Sequence, residues 1–228
     1  MTTPLTSITP EGPVRGGVVV IQEAFGVTEH IVDVCRRFAA AGYHAVAPHL
    51  FHRSGDPVLD YDDLQAAMPL MGELTAAHID EDVDGAVAAL SAASIDPRNT
   101  AIVGFCMGGT VAFQTASRRN LGAAVSFYGG GIAKGRFGYP SQLDAAGQLA
   151  TPWLGLFGDR DKGIPTEDVE ELRAAVADAS VDTEIVRYPD AEHGFHCDDR
   201  PAVYNEAAAR DGWARTLEWF DTHLAATD

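Results

Sequence analysis

Thr100-Ala-Ile-Val-Gly-Phe-Cys-Met-Gly-Gly-Thr110 is the stretch that most limits how this chain can fold. Thr100 to Val103 is a short run of apolar and β-branched residues, the pattern of a buried strand. Gly104-Phe105-Cys106-Met107-Gly108 follows without a spacer, and Thr110 to Ser117 then carries a helix-compatible pattern. A strand that turns at once into a helix, with glycine on both sides of a nucleophilic side chain, has the form G-x-S-x-G, here with Cys106 in place of the serine. Glycines at 104 and 108 remove Cβ atoms that so tight a turn would bring into collision. The helix opening after Cys106 aims free N–H groups and the positive end of its dipole at the sulfur, which favours the thiolate. A Gly-flanked cysteine can equally be plain core, since free Cys is commonly buried. Residues downstream separate the two readings.

The surrounding pattern alternates strands with helices. Gly17 to Glu23 reads as a buried strand, and Thr28 as the cap of a helix with Ile31, Val34, Cys35 and Phe38 on its apolar face. Ala45 to Ala47 is the next strand. Residues 49 to 78 are less regular, with a helix from Asp62 to Leu74 interrupted near Pro69; Ile79 to Ala93 is an amphipathic helix with Val83, Val87 and Leu90 inward. Past the elbow come strands at Ala123–Tyr128, Pro152–Phe157 and Thr183–Tyr188, a loop from Lys134 to Ala150, a helix capped by Thr166 and running to about Ala179, and a terminal helix ending near His223. Residues 1 to 15 have room for one short edge strand. Six strands alternating with helices predict an α/β sheet covered on both faces, with right-handed crossovers. At 228 residues, one domain spanning 1–228 is expected.

Charge narrows the partners. With 33 acidic against 16 basic residues the formal charge is −17, which repels nucleic acid and anionic lipid but leaves room for a small anionic substrate held by local arginines. Three cysteines are too few and too odd in number for a secreted disulfide framework. There is neither a leader-like start nor a run of about 18 apolar residues. A soluble, cytoplasmic protein is expected.

In open parallel sheets ligands bind beyond the carboxyl ends of the strands. Glu23, Cys106, Asp161 and His193 all fall at such ends. Nucleophile, acid, histidine is the chain order of an α/β-hydrolase triad. In it the histidine takes the thiol proton and later returns one to the leaving group, while the acid fixes the imidazole tautomer. Asp159 competes with Asp161 for the acid's place, as a turn residue after Gly158.

Four motifs together resemble the dienelactone hydrolase family of α/β-hydrolases: Gln22-Glu-Ala-Phe-Gly26, Gly104-Phe-Cys-Met-Gly-Gly109, Gly158 to Pro165, and His193-Gly-Phe195. The likeness covers essentially the whole chain. It implies an α/β-hydrolase fold, a Cys106-His193-Asp161 triad, no metal and no organic cofactor. It also implies that Glu23 lies beside the nucleophile and helps control its ionisation, and that the backbone N–H groups of Met107 and Ala24 form the oxyanion hole. By the match to the family's acid before x-x-Ile-Pro, Asp161 is preferred over Asp159. The family's best-known members grip a substrate carboxylate with two arginines. This chain has no Arg or Lys between Arg53 and Arg98, carries Cys197 four residues past His193, and has its next arginine at Arg200.

The implied activity is hydrolysis of a small ester or lactone through an acyl-enzyme, chemistry of the carboxymethylenebutenolidase type. A thioesterase or other acyl hydrolase on the same triad, and a non-catalytic binding module of the same fold, are the alternatives. His193-x-x-His196 and His49-x-x-His52 have metal-like spacing but lack a third ligand. Cys35 is expected in the core and Cys197 exposed near the pocket. The tryptophans 153, 213 and 219 are expected to pack. Oligomeric state is not readable.

Overall fold

Runs of Val, Ile and Ala with few polar breaks build the centre of the sheet, and such runs survive only where both faces are covered. The computed structural model describes residues 3–225. Its strands are β1 (Leu5–Ile8), β2 (Gly16–Ile21), β3 (Tyr43–Pro48), β4 (Thr100–Phe105), β5 (Ala123–Phe127), β6 (Trp153–Gly158) and β7 (Thr183–Tyr188). They form one seven-stranded sheet in the order β1-β3-β2-β4-β5-β6-β7, with β1 antiparallel to β3 and every other pair parallel. Every residue of β2, β4, β5 and β6 is buried. The strand beyond the six expected is β1, the short edge strand for which residues 1 to 15 had room.

The helices are α1 (Glu29–Ala40), α2 (Leu64–Glu73), α3 (Ala76–Ala92), α4 (Met107–Arg118), α5 (Gln142–Ala145), α6 (Thr166–Val176) and α7 (Glu206–His223). Thr28 caps α1, and the buried side of that helix is His30, Ile31, Val34, Cys35, Phe38 and Ala39. Phe38 packs on Trp213 and Phe220 of α7, with ring centroids 4.5 and 5.7 Å apart, so α1 and α7 share one face of the sheet. Arg118 of α4 pairs with Asp80 and Asp84 of α3 at 2.8 Å, which ties those two helices together. The crossover through α1 runs from β2 out to β3 and the one through α3 runs back from β3 to β4, so the right-handed rule sends them to opposite faces.

Three local expectations are corrected. Pro69 lies inside α2 without interrupting it, because the carbonyl it leaves unpaired belongs to exposed Gln65 and can be solvated. The cap of α6 is Pro165 rather than Thr166, and the helix stops at Val176. The stretch expected as loop from Lys134 to Ala150 contains α5, capped by Ser141, whose side chain accepts from Asp144 N–H.

The chain steps from β2 outward to β3 and then back across β2 to β4. This reversal opens a crevice at the carboxyl ends of β2 and β4, the place where open α/β sheets bind ligands. Glu23 and Ala24 follow β2, and Cys106 follows β4.

Candidate active site

Cys106 occupies a backbone conformation that few side chains adopt, with φ 56° and ψ −118°, at the N-cap of α4. The flanking glycines are obligatory. A Cβ on Gly104 would lie 1.8 Å from the Gly108 carbonyl oxygen, and one on Gly108 would lie 2.5 Å from the Ile21 oxygen. The second contact shows how closely the elbow packs on the end of β2. Cys106 N–H donates to Phe127 O at 3.1 Å, which anchors the turn to β5. The thiol is half-buried, whereas Cys35 is fully buried and its thiol is pushed up to about 12 by desolvation.

Asp161 and His193 meet. His193 Nδ1 donates to Asp161 Oδ2 at 2.5 Å, and Asp161 Oδ1 accepts from Gly163 N–H at 2.8 Å. Asp159 is occupied elsewhere, pairing with Arg187 at 2.7 Å. Burial alone would lower the His193 pKa; the adjacent Cys106 sulfur, and then the hydrogen bond to Asp161, override it and hold the imidazole up at about 10. Cys106 and Asp161 thus bear on the same ring. The carboxylate sits on the Nδ1 side, as orienting and charge-balancing a protonated imidazole requires.

Glu23 is 1% exposed. Its Oε1 has the Tyr128 hydroxyl at 3.4 Å, and its Oε2 has no hydrogen-bond partner. Met107 and Ala24 are buried on either side of the crevice, and among the described residues neither amide N–H donates to a protein acceptor. Both remain available to an oxygen placed there.

Some residues fall outside this group. His196 is fully enclosed against Phe105, Phe127 and His30, and desolvation, then the neighbouring His30 and Arg37, push its pKa down to about 3. His49 pairs with Asp56 at 2.7 Å, and His52 with Asp82 at 3.1 Å. Cys197 corrects an expectation: it is buried, and desolvation first, then Glu23, push its thiol up to about 12. The loop past His193 coils back on itself through Cys197 N–H to Gly194 O and Arg200 N–H to Cys197 O, which turns the thiol inward. Trp153 lies in the core, donating to Ser126 Oγ at 2.9 Å. Among the described residues no group of three or more His, Cys, Asp or Glu side chains could hold a metal ion, and no helix is long and apolar enough to cross a membrane.

Three further residues gather here that sequence reasoning did not place. Tyr128 follows β5 with φ 41°, fully buried, its ring centroid 5.0 Å from that of His193. Tyr61 packs edge-on against Phe25 at 4.9 Å, with its hydroxyl 2.9 Å from Thr28 Oγ1. Arg200 lies over both rings, its guanidinium carbon 5.7 Å from the Phe25 centroid and 5.5 Å from that of Tyr61. It makes no ion pair with a described carboxylate, in a chain whose arginines are mostly paired. The run Gly129 to Gly131 marks a backbone irregularity beside Tyr128, the one sequence signal that could have singled it out.

Comparison with known proteins gives a consistent result. The model of the dienelactone hydrolase family matches residues 5–224. A Salmonella typhimurium protein provisionally named carboxymethylenebutenolidase is 42% identical over 206 residues, covering 89% of this chain and 76% of that protein. A Synechocystis protein of the same provisional name is 35% identical over 214 residues, covering 91% and 86%. A crystal structure of a provisionally named dienelactone hydrolase from Klebsiella pneumoniae superposes with a TM-score of 0.87 at 37% identity, covering 97% of this chain and 93% of that one.

Proposed function

The chain belongs to the dienelactone hydrolase family, and from that premise we propose a cysteine-dependent hydrolase of small esters or lactones that works through Cys106, His193 and Asp161. The observation that carries the proposal is one imidazole bonded to Asp161 at Nδ1 and raised to about 10 beside the Cys106 sulfur. Having taken the thiol proton, His193 is charged at neutral pH. The sulfur attacks the substrate carbonyl and forms the S–C bond, and the carbonyl oxygen gathers negative charge between the Met107 and Ala24 amides. As the C–O bond breaks, His193 gives its proton to the departing oxygen, leaving a thioester on Cys106. Neutral His193 then takes a proton from water, whose oxygen attacks the thioester, and the carboxylic acid departs as Cys106 is released.

Thiolate is itself a good leaving group, so the first adduct collapses back unless the alcohol departs easily. Enol lactones and aryl esters, whose oxygen leaves as a stabilised anion, suit this site better than alkyl esters. The carboxylate grip of the family's best-known members has no counterpart at the matching positions. The position of Arg200, over Phe25 and Tyr61 and without an ion-pair partner among the described residues, supports it as a replacement cation. The occupant is a small molecule acted on by one domain in a reducing compartment, where Cys106 stays a thiol.

The test is a panel of enol lactones, aryl esters and thioesters, with matched members bearing or lacking a carboxylate. Cys106→Ala should abolish turnover throughout, and Arg200→Gln should raise KM only for the carboxylate members. Undiminished turnover by purified Cys106→Ala would end the proposal. A marked preference for thioesters would redirect it to thioester hydrolysis.

A further inference from the structure

Tyr128 has a backbone that its side chain does not favour. It is one residue past the end of β5 and holds φ at 41°, in the left-handed region. Such conformations persist in non-glycine residues only where the surroundings enforce them. Here the chain had an easy alternative, since Gly129, Gly130 and Gly131 follow directly. A turn that needed only a left-handed residue could have used one of them. The phenol side chain is therefore what the position retains.

Its surroundings say what the phenol is for. The ring is enclosed by Phe105, Phe127 and Phe195, with centroids 6.3, 6.2 and 5.1 Å away, and the backbone is pinned by Tyr128 N–H to Leu156 O at 2.8 Å. On one side the ring lies 5.0 Å from the His193 imidazole, centroid to centroid. At its far end the hydroxyl points to Glu23 Oε1, 3.4 Å away. That is a long contact, of the kind that tightens when substrate closes a site. Among the described residues no other side chain donates to the Glu23 carboxylate, and its second oxygen has no partner.

On these contacts we infer that Tyr128 is a positioning residue with two outputs: its hydroxyl orients the Glu23 carboxylate beside Cys106, and its ring supports His193 in the orientation that meets Asp161. The phenol keeps its proton throughout the working pH range, because burial first, and then the neighbouring Glu23, push its pKa well above the ordinary value. It thus acts as a fixed donor and gives up no proton in the reaction. The inference rests on the roles proposed above for Glu23 and His193.

The two outputs can be separated by substitution. Tyr128→Phe keeps the ring and removes the hydroxyl; Tyr128→Leu removes both. Each is to be made in the native chain and in the Glu23→Gln background, with folding checked by circular dichroism. The readouts are kcat/KM against pH and the rate at which iodoacetamide alkylates Cys106. The expected result is a roughly tenfold loss of kcat/KM in Tyr128→Phe across the pH range. In the Glu23→Gln background the same change should have no further effect. Tyr128→Leu should lower kcat/KM and slow alkylation in both backgrounds. If Glu23→Gln is impaired while Tyr128→Phe is neutral, or if the two losses multiply independently, the inference falls and the reading of Glu23 stands. If Glu23→Gln itself is neutral, the reading of Glu23 falls and the inference with it.

Discussion

Asp82 and Glu23 are shielded from solvent to the same degree, at 0% and 1% exposure. Asp82, on α3, accepts from Thr3 Oγ1 at 2.6 Å and His52 Nε2 at 3.1 Å through one oxygen, and from Arg53 at 2.6 Å through the other. Its three donors come from the start of the chain and from the short turn after β3, so this one carboxylate ties three segments together. Glu23 has a single long contact and an oxygen with no partner. Burying a carboxylate is costly unless its oxygens are bonded, and leaving one unbonded needs a reason. Equal burial therefore accompanies two different roles. Asp82 is satisfied and structural, while Glu23 keeps unused bonding capacity just past the carboxyl end of β2.

Substitutions can sharpen or break this contrast. The largest effect is expected from Asp82→Ala, which strands Arg53 and His52 and should cost about 3–5 kcal/mol in urea unfolding. Activity per folded molecule should hold. A stability loss below about 1 kcal/mol would remove the distinction from one side. Glu23→Gln should do the reverse, leaving stability within about 1 kcal/mol while kcat/KM falls roughly 10- to 100-fold, or about 1.4–2.7 kcal/mol. Cys106→Gly addresses the strained elbow. Glycine adopts φ 56° freely, so this inactive variant should be more stable than the native chain by roughly 1 kcal/mol, readable as a higher Tm.

A further expected effect concerns pH. The folded pKa of His193 lies above its ordinary value, at about 10. Its stabilising contribution is therefore complete below the unfolded value near 6.5 and is lost as pH rises through about 10. The stability advantage of the native chain over His193→Gln should shrink steadily across that interval. An advantage that grew with pH would contradict the raised value.

Much of the architecture was legible because it rests on local rules. The glycines at 104 and 108 announce the elbow, and the backbone packed around them supplies the contacts that require them. The strand–helix alternation, and the inward face of α1 at Ile31, Val34, Cys35 and Phe38, follow from periodicity alone. What could not be read depends on partners far away in the chain. Asp82 adjoins Val83 on an amphipathic helix, and its burial makes sense only with Thr3, His52 and Arg53 in place. Cys197 looks like a loop residue until the chain folds back through Gly194 and Arg200. Tyr128 reads as the end of a strand, since the glycines after it mark an irregular backbone without assigning the left-handed conformation to the tyrosine. Asp159 and Asp161 are alike in sequence, and only distant partners tell them apart: Arg187 engages Asp159, and His193 engages Asp161.

The most direct test of the central claim is to trap the acyl-enzyme. A slowly deacylated aryl ester should be mixed with the native chain, quenched in acid, and read by intact-mass and peptide mass spectrometry. One acyl group on Cys106, appearing together with a stoichiometric burst of phenol and absent in Cys106→Ala, is the result this account predicts. An acyl group on another residue, or steady turnover in the variant, would contradict it.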